Sequence, residues 1–281
     1  RLFDETLRVN QYDVVVMFYT YSANLLKNTT EKVKKVYFME DSCFIQQHSF
    51  HQGTNPELTL GVLLDEELER IKHFDEVFCI SNDERIFYSK LLKRELGFIP
   101  HLLPGIKRVE KPVSQRKWDI FYIGFNNVFN VEGLKWFFDE VYPKLDPAMR
   151  IVLIGSAATQ LDISYPNVEV IPFAPDLDEV FEDAKVSICP MFSGTGMKVK
   201  VVESMAKGLP VVCNERGVDG FPDKNECGCL VTQDAGQFAE YLTRLVEDQE
   251  FYEQTLEKAN RYYDTYFNVE KYRDLVKKTL Q

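Results

Sequence analysis

The stretch from Val186 to Cys213 constrains the fold of this chain more than any other. An apolar run, Val186-Ser187-Ile188-Cys189-Pro190, leads into a loop punctuated by glycine, Ser193-Gly194-Thr195-Gly196. An amphipathic segment follows to Lys207, then Gly208-Leu209-Pro210 and a second apolar run, Val211-Val212-Cys213. The order reads as strand, loop, helix, strand, with Gly208 as the helix stop and Pro210 enforcing an extended start to the next strand. Gly196, Lys200, Glu203 and Lys207 fall on one stripe of a 3.6-residue period, and Val199, Val202 and Ala206 on another that would pack against a sheet. Loop amides and a helix N-terminus make a site for phosphate. Lys198 and Lys200 add point charge, and Glu203 can accept hydrogen bonds from sugar hydroxyls. These residues read as a nucleotide diphosphate site. The alternative is an ordinary surface helix with Lys200 and Glu203 as a solvated pair.

The rest of the chain repeats the alternation of short apolar runs and helical segments. Strands are expected at 12–18, 35–39, 76–80 and 98–103, with helical segments at Tyr21–Lys27 and Glu57–Phe74 and one capped by Ser81 or Asn82. Residues 40–56, which end at Asn55-Pro56, read as irregular. Residues 107–117, charged and interrupted by Pro112, are the linker candidate. A second series then begins, with strands at 119–123, 151–154, 168–173, 186–190 and 209–213, and only helices from about 235 onward. The expected fold is α/β, two Rossmann-like parallel-sheet domains spanning residues 1–112 and 113–281 and facing each other across a cleft. Ligands of such sheets bind at the carboxyl ends of strands, where Gly124, Gly155 and the 193–196 loop all fall.

Composition bounds the function. The chain has 281 residues, 45% of them apolar, and a net charge of −11, which argues against a nucleic-acid partner because phosphate-backbone affinity needs a basic surface. No apolar stretch approaches a membrane span and none reads as a secretory signal. The six cysteines lack the spacing of a zinc site, Cys227-Gly-Cys229 being the only close pair, and fit a reducing, cytoplasmic setting. The chain opens on Arg1 inside a helix-like segment, which reads as a fragment of a larger polypeptide.

With these residues in view, the chain resembles a retaining glycosyltransferase of the GT-B fold, family four, also called glycosyl transferases group 1. Ile123-Gly124, Asn130-Val131-Glu132-Gly133, Trp136-Phe137 and Ile154-Gly155-Ser156 are similar to the start of that family's second domain. Ser193 to Val212, then Gly217-Val218-Asp219-Gly220, resembles its donor signature. The resemblance implies a metal-independent transferase that moves a sugar from a nucleotide diphosphate to an acceptor hydroxyl on a glycan, a lipid-linked acceptor or another molecule. It implies no cofactor beyond the donor. Glu203 would bind the ribose, and Gly194, Thr195 and Gly196 the donor phosphates and sugar. Lys198 and Lys200 would neutralise the leaving group, the base would pack near Pro172-Phe173-Ala174, and Gly124 would line the same rim. The last helix would cross back to the first domain.

The chain departs from the family in three places. Thr195 stands where many members carry a carboxylate that touches the donor sugar. Where a histidine often follows the second matching strand, this chain has Glu40 and Asp41, which become the catalytic candidates, with turn capping as their alternative. No strand and glycine-rich loop precede Tyr12, so either the amino-terminal part is missing or the protein is a reduced relative. A non-catalytic nucleotide-sugar-binding or scaffolding relative is therefore the alternative function, and a nucleotide-sugar epimerase a third. His48 and His51 could border an acceptor or be solvated; His73 and His101 read as structural. Asp176-Leu177-Asp178 resembles a metal-binding pair of the other glycosyltransferase fold, but its place before a helix favours capping. Arg85, Lys90, Lys93 and Arg94 form a basic face that could touch a membrane peripherally, or be solvated and balanced by Asp83, Glu84 and Glu95.

Overall fold

The computed structural model describes residues 2–26, 32–51, 55 and 57–281, without the side chains of 49–51. The helical end expected at Lys27, the turn at Pro56 and the His51 side chain lie outside the described residues. The first half runs α1 (Leu2–Asn10), β1 (Val14–Met17), a 3₁₀ segment (Thr20–Leu26), β2 (Lys34–Met39), α2 (Cys43–His51), α3 (Leu60–Ile71), β3 (Glu76–Cys79), α4 (Asn82–Leu92) and β4 (Gly97–Phe98). The second runs β5 (Trp118–Ile123), α5 (Val128–Trp136), β6 (Ile151–Ile154), β7 (Val168–Ile171), α6 (Leu177–Glu182), β8 (Ala184–Cys189), α7 (Val199–Lys207), β9 (Val211–Cys213) and β10 (Leu230–Val231). It ends in α8 (Ala235–Glu247), α9 (Gln249–Tyr266) and α10 (Val269–Thr279).

Among the described residues the strands form two all-parallel sheets, β1-β2-β3-β4 and β10-β9-β8-β5-β6-β7. Every residue of β6 is buried and so are five of six in β5, as expected of strands covered by helices on both faces. In the second sheet the chain leaves β5 in one direction through β6 and β7 and returns to its other side through β8. The carboxyl ends of β5 and β8 therefore flank a topological switch point, the place where such sheets open a crevice.

Four local expectations differ from the structure. Residues 43–51 form α2 rather than an irregular loop, because the Glu67 carboxylate of α3 accepts from the amides of Cys43 (3.1 Å) and Phe44 (2.8 Å) and so caps the helix from outside. Helix α3 starts at Leu60, where the Thr59 hydroxyl accepts from the Val62 amide. Strand β4 is only two residues long: after Ile99 donates to the Cys79 carbonyl, Pro100 has no amide with which to continue. The charged linker is not loose, since Arg116 is buried and donates to the Ala184 carbonyl (3.0 Å) and the Tyr252 hydroxyl (3.1 Å).

Two of the places where the described halves meet lie away from the cleft. Asn82 donates its amide to the Gly220 carbonyl (2.8 Å), while Asp83 accepts from the Gly220 amide (2.9 Å) and pairs with Lys224 (2.5 Å). Gly220 has φ +81°, and a Cβ there would press on Ser81, so glycine is required. At the other end Tyr272 of α10 packs with Val36, Phe78 and Ile99 of the first half.

Candidate functional site

A cleft of about 710 Å³ opens at the switch point. Gly124 and Gly155, at the ends of β5 and β6, form its floor. Gly155 has φ +99° and a Cβ on it would overlap the Gly124 carbonyl, so the two backbones touch only because neither residue carries a side chain. One lip carries Pro172, Phe173 and Ala174, with Phe173 78% exposed, and Phe125 lines the same cleft, 70% exposed. The opposite wall is the loop after β8 and the first turn of α7.

Helix α7 differs from its neighbours at its start. Helices α3 to α6 and α8 to α10 each have a side-chain oxygen accepting from a first-turn amide; at α7 the cap position is Lys198 and no side chain does so. The Val201 amide bonds the Lys198 carbonyl (2.9 Å), and the amides of Val199 and Lys200 are left for a ligand or solvent. Val199, expected on the packed stripe, is instead exposed at this open end and lines the cleft. Val201, Val202, Met205 and Ala206 make the buried face.

The ionisable residues divide by what already holds them. The Lys200 ammonium donates to Asn130 Oδ1 (2.7 Å) and sits 4.7 Å from the centre of the Tyr122 ring. Burial pushes its pKa down, and no carboxylate among the described residues pairs with it. Glu203 lines the cleft one turn on, with its carboxyl pushed up by burial and no hydrogen bond or ion pair to a described residue. The solvated Lys200–Glu203 pair does not form. Lys207 pairs with Asp178 instead (2.5 Å). Lys198 also lines the cleft, but its ammonium is bonded to the carbonyls of Thr195 (3.1 Å) and Gly196 (2.8 Å) and holds the loop closed.

Asp41, two residues past β2, crosses from the first half to meet this loop. Its carboxylate accepts from Gln46 Nε2 (3.0 Å) and lies beside the Thr195 side chain. Burial raises its pKa, with Lys198 opposing. Gly196, φ +72°, abuts it so closely that a Cβ would overlap the carboxylate. Gly194, φ +98°, lies against the Phe129 ring.

Of the residues picked from sequence, Asp41, Gly124, Phe173, Gly194, Thr195, Lys198, Lys200 and Glu203 all line this cleft. Gly196 touches it through Asp41. Glu40 does not face it: it lines a separate groove on the first half. Sequence reasoning missed Gln46, which rides on the unexpected α2, and Asn130, which holds both Lys200 and the Phe125 carbonyl (2.9 Å). The Asn127 cap of α5 was a readable signal for that corner. Asp176 caps α6 through the Asp178 amide (2.8 Å). In the basic face of α4, Arg85 bonds Asn82 and Arg94 bonds the Phe74 carbonyl, which leaves Lys90 and Lys93 exposed.

Two parallel-sheet halves facing across such a cleft define the GT-B fold. Residues 117–248, a little under half of the chain, match the family model described as glycosyl transferases group 1. A 44.6 kDa protein in the cps region of Klebsiella pneumoniae is 23% identical over 269 residues, 83% of this chain and 65% of its own length. The structure of Anabaena Alr3699/HepE in complex with UDP superposes with a TM-score of 0.73 at 14% identity, covering 99% of this chain and 81% of that one. S. aureus TarM does so with a TM-score of 0.71 at 15% identity, covering 100% and 58%. The chain thus spans 65% of the Klebsiella relative and 58% of TarM. No helix among the described residues is long and apolar enough to cross a membrane.

Proposed function

We propose that the cleft binds a nucleoside diphosphate sugar and that the chain transfers the sugar, with retention of configuration, to an acceptor hydroxyl. The observation that carries this is Lys200, a half-buried cation of the cleft with no carboxylate partner among the described residues, one turn from an unpaired Glu203. A partly desolvated charge without a counter-ion is costly, and a diphosphate would supply the missing anion. The uncapped start of α7 adds donors for it. Glu203 would accept from the two ribose hydroxyls, and Phe173 would flank the base. In this reading residues 113–281 are the donor side and 1–112 the acceptor side.

In the transfer, the bond from the anomeric carbon to the diphosphate breaks as the acceptor oxygen attacks the same face. The acceptor proton passes to the departing phosphate oxygen, whose charge Lys200 and the α7 amides stabilise. Asp41 would face the positive charge growing at the anomeric carbon. It supplies, from the first half, the carboxylate that Thr195 lacks, and the Gln46 amide orients it. The free thiols of all six cysteines fit a reducing compartment.

One comparison tests this. Calorimetry with UDP and other nucleoside diphosphates, on this chain and on Glu203→Ala, should show binding that weakens about 10- to 100-fold in the variant, the cost of losing hydrogen bonds to a charged acceptor. Unchanged affinity removes Glu203 from the site. The second reading, a binding relative without catalysis, is favoured by Lys198, whose ammonium is already spent on loop carbonyls. Tight binding with neither transfer nor donor hydrolysis would select it.

A further inference from the structure

At the carboxyl ends of β1 and β2 lies a second groove of about 590 Å³, lined by Val16, Met17, Phe18, Tyr19, Ser22 and Glu40. Phe18 and Tyr19 are 49% and 51% exposed there. The first is not loose. The Phe18 ring stacks on Phe38 (centroids 5.8 Å apart), which stacks on Phe78 (5.4 Å), so the exposed ring ends a column rooted in the sheet. The Tyr19 hydroxyl lies near the Glu40 carboxylate, whose charge pushes the phenol's pKa up.

The groove adjoins the donor cleft through two consecutive residues. At the end of β2, Asp41 lines the cleft and Glu40 lines the groove. The peptide between them abuts the loop after β8: a Cβ on Gly196 would lie 3.6 Å from the Glu40 carbonyl oxygen. A molecule in the groove is therefore one residue away from the cleft.

We infer that this groove binds a neutral pyranose ring of the acceptor, with Phe18 and Tyr19 against its C–H face and the Glu40 carboxylate accepting from its hydroxyls. The inference rests on the transfer proposed above, whose acceptor side it fills. Aromatic faces half in solvent call for an apolar surface, and the carboxylate beside them offers acceptors. One ligand must then offer both a flat C–H face and several donors, which a pyranose does. An acyl chain offers no donors. An anionic sugar would be repelled by Glu40 on a chain of net charge −11.

Saturation-transfer NMR on this chain would use methyl glucoside, galactoside, mannoside and N-acetylglucosaminide, with methyl glucuronide as the anionic control. At least one neutral glycoside should receive saturation, concentrated on its ring C–H protons, and the glucuronide none. Binding should weaken about tenfold in Phe18→Ala and in Glu40→Gln, as loss of a packing face or of a charged acceptor implies. UDP is titrated into the same samples. A wild-type chain that binds UDP but no neutral glycoside overturns this inference and leaves the donor reading standing. One that binds a glycoside but no nucleoside diphosphate does the reverse. Equal binding of the glucuronide, or undiminished binding by both variants, also overturns it. Should Phe18→Ala lose its fold, the near-isosteric Glu40→Gln decides alone.

Discussion

Glu84, in the first turn of α4, offers a sharp test of the electrostatics behind the site. One of its oxygens accepts from the Ser42 amide (3.0 Å) and hydroxyl (2.7 Å), and the other is buried with no partner among the described residues. Burial pushes its carboxyl from 4.5 up to about 7; the Ser42 bonds pull it down, while Asp41 and Glu67 push it further up. Between these two values the folded protein holds a proton that the unfolded chain has released. The unfolded state then binds fewer protons, so stability falls as pH rises through this window. The full shift is about 2.5 pH units, which at 1.36 kcal/mol each gives about 3 kcal/mol present below pH 4.5 and lost above pH 7.

Glu84→Gln keeps an acceptor for Ser42 and cannot ionise. Relative to the wild type it should be close to neutral at pH 5 and more stable by up to about 3 kcal/mol at pH 8, roughly 5–10 °C in Tm for a chain of this size. Thermal unfolding of both proteins at pH 5, 6, 7 and 8 measures the difference directly, and every other titrating group cancels between them. A gap in Tm that stays constant from pH 5 to 8, or a variant less stable at pH 8, would refute the reasoning.

Lys200→Met should act in opposite directions on stability and binding. Removing a half-buried cation that lacks a carboxylate partner among the described residues should raise the ligand-free Tm, by about 1 kcal/mol of stability, while UDP affinity falls about 100-fold; a variant that binds UDP like the wild type would refute Lys200 as the diphosphate counter-charge. Tyr122→Phe removes a buried hydroxyl that has no partner among the described residues and keeps the ring under Lys200, so stability should rise by about 1 kcal/mol in urea unfolding with UDP binding unchanged. A destabilised variant would mean that the hydroxyl has a partner in solution.

What the sequence made legible was whatever is encoded within one strand–loop–helix unit. Apolar runs marked the strands, the Gly208 stop was recovered at φ +77°, and alternation of elements implied two parallel sheets. The cleft wall after β8 was legible for the same reason, since a span of eleven residues carries Ser193 through Glu203. Helix α2 was not, because its cap is Glu67 on another helix and nothing between 40 and 51 announces it. With α2 hidden, Gln46 was hidden too, and with it the partner that helps to aim Asp41 at the loop. Glu40 and Asp41 looked equivalent as a pair of carboxylates, yet the turn after β2 sends one to the cleft and the other to the neighbouring groove. The two still feel each other, since Glu40 adds to the burial that raises the Asp41 carboxyl while Lys198 opposes it. With Asp41 in the cleft and Glu40 in the groove, the proposed transfer would set one carboxylate at the donor and the other at the acceptor.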